Sequence, residues 1–475
     1  MLILKNLHLL KTNNLVNGKW IESTTGEVLD VINPATDEII AHIFNIDITK
    51  IDKVINVANK AQKLWSRVES KERTKYINQW HDLLLANVED LAKIITAEQG
   101  KPLAESRQEI VQAASFLLQL SLEGEAITDR ASVEAKENKV KKVKEPIGVC
   151  AAITSSDSPA AIVIEKVGAA LAAGCSVILK PASETPLTAL AIGQLAIDAG
   201  IPAGVINIIT GSAKKIAAVL INSHLVHKVT FTGSSAAGQA LIKNSDDRLT
   251  KVTFELRDSP PLIVFSDADL NVAVEGLMRS KFHNAGQSCL CANRIYVHAD
   301  IYVAFIKKLI SQMQTIKIGS GTEEGTNLGP LINFAAIERI EKHIRDLLAK
   351  GGRLATGGSR HFKGDRFYQP TIIIDATMDM LVAHEEVFGP LVPIFKFESD
   401  AEVVLLANSR RHGQMSYVYS TNTNRIARTV AGLDSDFVGV NLTKEMLFDD
   451  VSAERAASSI NAHIHTKRIY VTSSV

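Results

Sequence analysis

Short apolar, β-branched runs alternate with alanine-rich stretches between Ile147 and Leu256. The runs at 147–153, 176–180, 205–209, 228–231 and 251–256 predict strands, and the stretches at 160–173, 187–199, 213–221 and 236–243 predict the helices between them. Strands that are apolar along their whole length, rather than at alternate residues, belong in a sheet covered on both faces. The alternation therefore predicts an α/β fold built on a doubly wound parallel sheet. Ligands of such sheets bind at the carboxyl ends of the strands, where Lys180, Gly211, Gly233 and Glu255 fall.

The flanks read differently. Up to about Gly124 the pattern predicts an extended lead-in followed by helices, with Ile51, Val54, Ile55, Ala58 and Ala61 at helical spacing and a second helical run from Ile110 to Leu120. From Pro261 a second α/β unit is predicted, with strands at 262–265, 295–298 and near 438–441 and helices near 302–314 and 335–349. The charged, alternating segments 139–144 and 463–471 predict amphipathic strands, which either pair with another subunit or form a solvated hairpin.

A chain of 475 residues has room for two or three domains. Zero formal net charge offers no basic surface to nucleic acid or to an anionic membrane. The longest nearly apolar run, 167–179, is too short and too rich in Gly and Ala to span a bilayer. Lys5, Asn6 and His8 interrupt the first apolar residues, against a secretory core, so a cytoplasmic protein is expected. The four cysteines (Cys150, Cys175, Cys289 and Cys291) are too few for a disulfide framework, and Cys289 and Cys291 stand too close in sequence for an unstrained bridge.

The candidate chemistry lies in Gly286-Gln287-Ser288-Cys289, downstream of Val252-Thr253-Phe254-Glu255-Leu256. A thiol in a glycine-containing turn and a carboxylate ending a strand are the nucleophile and the base that covalent aldehyde oxidation requires. Alone, such a cysteine is more often a small buried apolar residue. Neither His-Glu-x-x-His nor Cys-x-x-Cys occurs among the 13 histidines and the cysteines, so no metal is expected. The stretch from Gly233 to Gly238 lacks the lysine of a nucleotide-triphosphate loop.

The order of motifs says more than any one of them. Leu179-Lys180-Pro181-Ala182-Ser183-Glu184-Thr185-Pro186 is followed by Phe231-Thr232-Gly233-Ser234 with Gly238, then Glu255-Leu256, Gly286-Gln287-Ser288-Cys289, Leu328-Gly329-Pro330 and Glu385-Glu386-Val387-Phe388-Gly389-Pro390. Over nearly its whole length the chain resembles the aldehyde dehydrogenase superfamily, and 284–294 resembles the bacterial NADP-dependent succinate semialdehyde dehydrogenases. The resemblance implies an NAD(P)-binding domain at 1–124 and 147–254, a catalytic domain at 255–446, and a small β oligomerisation arm at 125–146 and 447–475. It implies a homodimer or homotetramer acting on a small aldehyde. Cys289 would form a thiohemiacetal, and Glu255 would activate water against the resulting thioester. Lys180 and Ser183 match positions at the adenosine ribose, where an ammonium beside a small hydroxyl suits a 2′-phosphate, so NADP is expected, with NAD possible. Gly233 and Ser234 match a pyrophosphate site at a helix start, Glu386 a ribose-binding acid, and Phe388 an aromatic beside the nicotinamide. Ser156 and Leu256 are further cofactor candidates. Cys291 is read as packing before redox switching.

The chain departs from the family at clustered positions. Ser155-Ser156-Asp157-Ser158-Pro159 stands where the family has Pro-Trp-Asn-Phe-Pro, and the lost Asn normally donates to the developing oxyanion. Asp157 is thus a catalytic-site position with altered chemistry. Arg257-Asp258 replaces two glycines, and Arg257 is a candidate partner for Glu255. Leu447-Phe448-Asp449-Asp450 replaces Pro-Phe-Gly-Gly. Arginines that grip a distal carboxylate in semialdehyde enzymes align with Glu165 and His283, with Lys166 as a possible substitute. The leading expectation is an NADP-preferring aldehyde dehydrogenase. The runner-up is a catalytically degenerate homologue retained as an NADP-binding or scaffolding oligomer. Acyl transfer to coenzyme A ranks last, because Glu255 is present.

Overall fold

A computed structural model of the chain describes residues 2–22, 26–128, 140–243, 251–256, 259–409, 413–442 and 452–470. Two seven-stranded sheets form its frame. In the first, the strands run in the order Lys251–Leu256, Val226–Gly233, Val149–Ile153, Ser176–Lys180, Ile206–Ile208, Asn14–Val16, Lys19–Ile21. The five from the predicted α/β region are mutually parallel, and the two N-terminal strands add an antiparallel edge. Val149–Ile153 comes first in the chain among the parallel five and lies inside them, so the winding reverses beside it. That reversal makes the crevice at its carboxyl end the expected ligand site.

The sheet is buried because its covering helices are apolar nearly all round. Ala161–Ala173 and Pro186–Asp198 are buried along almost their full lengths, packed with the helix Leu103–Thr128 in one core. The helix Ile51–Trp65 covers the other face, burying Ile51, Val54, Ile55, Ala58, Ala61 and Trp65 on the stripe its spacing predicts. Two inner helices start on borrowed caps. Glu98 accepts from Leu187 N (2.7 Å) and Thr188 N (2.9 Å), and Glu109 accepts from Ala160 N (2.8 Å) and Ala161 N (3.2 Å). Each carboxylate thus satisfies amides that a buried helix start would leave orphaned.

The second sheet runs in the order Arg353–Thr356, Thr371–Ala376, Leu391–Phe397, Arg294–His298, Pro261–Val264, Gly413–Tyr419, Ser435–Val440, parallel except at its first pair. The segments predicted as amphipathic strands pair with each other: Ile464–Tyr470 runs antiparallel to Val140–Pro146 as a separate two-stranded arm. The N-terminal lead-in is more structured than its pattern predicts, since Val28–Ile32 and Ile39–Phe44 form a further hairpin. None of the described helices is long and apolar enough to cross a membrane.

Candidate active site

The loop carrying Cys289 follows the helix Leu270–Phe282 and departs from helical geometry at once. Asn284 and Ala285 take left-handed conformations (φ 50° and 55°), and Gly286 continues at φ 74°. A Cβ at 286 would meet the Gly389 carbonyl oxygen at 2.3 Å, so glycine is required there both by conformation and by space. Gly389 belongs to the Glu385–Pro390 motif, so the two motifs pack backbone against backbone.

Side chains hold this strained turn. Asn284 Nδ2 donates to the carbonyls of Asp157 (3.0 Å) and Gln287 (2.9 Å), while Asn284 N donates to Glu105 Oε2 (2.8 Å). Gln287 Oε1 accepts from Ile332 N (2.9 Å), and Tyr417 Oη donates to the Leu290 carbonyl (2.6 Å). Cys289 is left half-buried, whereas Cys291 is fully buried, its sulfur facing the carbonyls of Lys281 and Ala292. Burial pushes the Cys291 thiol up, which suits a packing role.

Glu255 is the penultimate residue of the strand Lys251–Leu256. Thr232 Oγ1, on the adjacent strand, donates to its Oε2 (3.2 Å), and Lys166 forms an ion pair with its Oε1. Arg257, the partner anticipated from sequence, and Asp258, Asp449 and Asp450 lie outside the described residues. Lys166 is almost fully buried, and burial lowers its ammonium's pKa, opposed by Glu165 and by charge on Cys289. The group that binds Glu255 therefore also feels the Cys289 sulfur. The sequence offered Lys166 as a substitute for a carboxylate-gripping arginine, not as the partner of Glu255.

Asp157 follows the central strand Val149–Ile153 and is 3% exposed. Its Oδ1 accepts a hydrogen bond from Ser155 Oγ (2.5 Å), while its backbone carbonyl is held by Asn284 and by Lys101 Nζ (3.0 Å). Lys101 is itself buried against Glu109 (2.5 Å). This pair joins the segment after the central strand, the capped start of Ala161–Ala173 and, through Asp157, the thiol loop. Sequence reading missed it. Lys101→Met should cost about 3–5 kcal/mol, the usual penalty for stranding one member of a buried ion pair. Denaturant unfolding checks this, and Lys101→Met with Glu109→Gln should cost less than the sum of the two single changes.

The cofactor candidates gather along the same edge. Lys180 ends its strand 2% exposed, donating to Ser183 Oγ (3.2 Å), and burial lowers its ammonium to about 8. Among the described residues no carboxylate lies within salt-bridge distance of it. Gly233 closes the strand Val226–Gly233, and Ser234 caps the helix Ser235–Lys243, its Oγ accepting from Ala237 N (3.3 Å). The helix start lies close to the sheet because Gly238 has no side chain: a Cβ there would meet Leu256 Cδ2 at 2.7 Å. Ser235 Oγ donates to Glu386 Oε1 (3.3 Å), which brings a residue of the second unit onto this helix start. Phe388 is buried at φ 44°, and Ser156 lies buried beside Asp157. A buried ammonium with no carboxylate at salt-bridge distance, at the same end of the sheet as a capped helix start one strand removed, fits the phosphates of a dinucleotide.

A half-buried thiol, a strand-end carboxylate and a capped helix start at the carboxyl end of a parallel sheet suit one class of protein, and comparison with known proteins shows the family. The aldehyde dehydrogenase family matches residues 20–450. The chain belongs to that family. It is 46% identical to a 3-sulfolactaldehyde dehydrogenase of Pseudomonas putida over 93% of this chain and 91% of that protein. It is 42% identical to the succinate-semialdehyde dehydrogenase (NADP+) GabD of Escherichia coli K12 over 92% and 91% of the two chains. A crystal structure of a succinate-semialdehyde dehydrogenase from Burkholderia pseudomallei superposes with a TM-score of 0.93 at 40% identity, covering 98% of this chain and 99% of that one.

Proposed function

We propose that this chain oxidises a small, semialdehyde-like aldehyde to its carboxylic acid, with Cys289 as nucleophile, Glu255 as base and NADP preferred over NAD. One observation supports the reading: Lys166 forms an ion pair with Glu255 and also senses charge on Cys289. Cys289, as a thiolate whose proton has gone to solvent, adds to the aldehyde carbon; the resulting alkoxide re-forms its C=O bond as the carbon's hydrogen leaves as hydride, so that Cys289 carries a thioester. Bound NADP+ supplies the hydride acceptor. Glu255, its two oxygens oriented by Lys166 and Thr232, then takes a proton from water as the water attacks the thioester, and the thiolate leaves.

Lys180, Ser183, Gly233, Ser234, Leu256, Ser156, Glu386 and Phe388 would hold the cofactor. The domain boundaries given above are proposed with this assignment. A homodimer or homotetramer is proposed as well, because an isolated two-stranded arm is marginally stable in water and gains by joining another sheet. A second reading, impaired turnover with cofactor binding retained, is favoured by the carboxylate of Asp157 standing where an amide donor is expected.

Stopped-flow measurement of NADPH formation over short aldehydes tests the main reading. A burst is expected, and absence of even one turnover would remove it. Cofactor choice has its own pH signature. Below about 8 Lys180 is an ammonium and attracts the 2′-phosphate; above that it becomes neutral. NADP affinity should therefore fall between about pH 7 and 9.5 while NAD affinity changes little, as read by calorimetry.

A further inference from the structure

We infer that Arg455 receives the carboxylate tail of the aldehyde and so determines substrate specificity; this rests on the dehydrogenase reading above. Arg455 lies in the first turn of the helix Ala453–Asn461, whose Ala456 and Ile460 are packed into the core shared with Leu103–Thr128 and Ala161–Ala173. That packing aims the guanidinium at Glu165: Nη2 lies 2.9 Å from Glu165 Oε2, and the cation sits 5.1 Å from the centroid of the Phe116 ring. Glu165 Oε1 lies 3.9 Å from Lys166, which pairs with Glu255. The result is an alternating row, Arg455–Glu165–Lys166–Glu255, in which Lys166 also senses charge on Cys289.

Among the described residues, the lysines and the histidine near the site are committed elsewhere. Lys166 holds the base. Lys101 serves Glu109 and the Asp157 carbonyl. Lys228 and Lys251 both donate to the Ala462 carbonyl. His283 lies 3.2 Å from Glu105, and burial together with the Lys101 and Arg279 charges lowers it to about 3, so it presents no charge to an anion at neutral pH.

Arg455 differs from all of these. It is 46% exposed and directs one hydrogen bond at Glu165, leaving further N–H groups in a planar fork that matches a carboxylate. Stacking on Phe116 keeps the guanidinium in place while it exchanges partners. Glu165 has Lys166 as a second cation when the substrate takes Arg455.

The test compares kcat/KM for succinate semialdehyde with that for butanal, an uncharged aldehyde of the same chain length. In Arg455→Met the ratio should fall about ten- to hundredfold, the worth of one charge-assisted hydrogen bond. Arg455→Lys should recover part of it, and Glu165→Gln, which removes the competing carboxylate, should not lower it. An unchanged ratio in Arg455→Met would overturn the inference; if that variant does not fold, an unchanged ratio in Arg455→Lys would do so. Succinate itself, which has the tail but no aldehyde, should slow alkylation of Cys289 by iodoacetamide in the parent protein and not in Arg455→Met. This protection needs no turnover. Failure to oxidise either aldehyde would therefore count against the dehydrogenase reading, while the protection assay still decides Arg455.

Discussion

Cys289→Ser reduces NADPH formation at least about 10³-fold, because a serine hydroxyl in the same place is not ionised near neutral pH whereas a thiol readily is. The turn is held by Asn284, Gln287 and Gly286, none of which depends on the sulfur. NADP affinity should consequently stay near its parent value, since Lys180 ends a strand of the first sheet and Ser183 lies in the loop just beyond it. Steady-state absorbance together with calorimetry on the same samples checks both halves. Lost activity with lost NADP binding would instead indicate a collapsed site.

Asp157→Asn works in the opposite direction and raises kcat by about 10²-fold, the typical worth of one oxyanion donor. The amide oxygen of asparagine can keep the hydrogen bond from Ser155, and its N–H₂ then faces away from that serine as a donor. The backbone carbonyl of residue 157 remains held by Lys101 and Asn284, so the new side chain starts from the same position. Measured kcat with succinate semialdehyde decides the matter. No gain would mean that a different group already stabilises the oxyanion, and the impaired-turnover reading would lose its main support.

The first sheet was legible because its inner strands, such as 149–153 and 176–180, are almost wholly apolar runs separated by alanine-rich helices of ordinary length. The second was legible only in part. Thr371–Ala376 and Leu391–Phe397 are separated by a long connection holding only a single 3-10 turn, and Arg353–Thr356 is an exposed edge strand with little apolar signal. At the site, the thiol turn, the strand-end acid and the buried lysine at 180 could be read from local sequence, since glycine, strand ends and motif order are local properties. The ion pairs could not. Lys166 meets Glu255 across 89 positions and Arg455 meets Glu165 across 290, and nothing in one sequence marks such partners. Lys101 and Glu109 stand close in sequence, but their burial depends on a helix start contributed from residue 160.

Rapid acid quench followed by peptide mass spectrometry tests covalent catalysis at Cys289 most directly. After mixing with NADP and succinate semialdehyde, the peptide containing Cys289 should carry an acyl thioester that appears in step with NADPH and then decays as water is activated by Glu255. NADPH accumulating while that peptide stays unmodified at every time point would contradict the account.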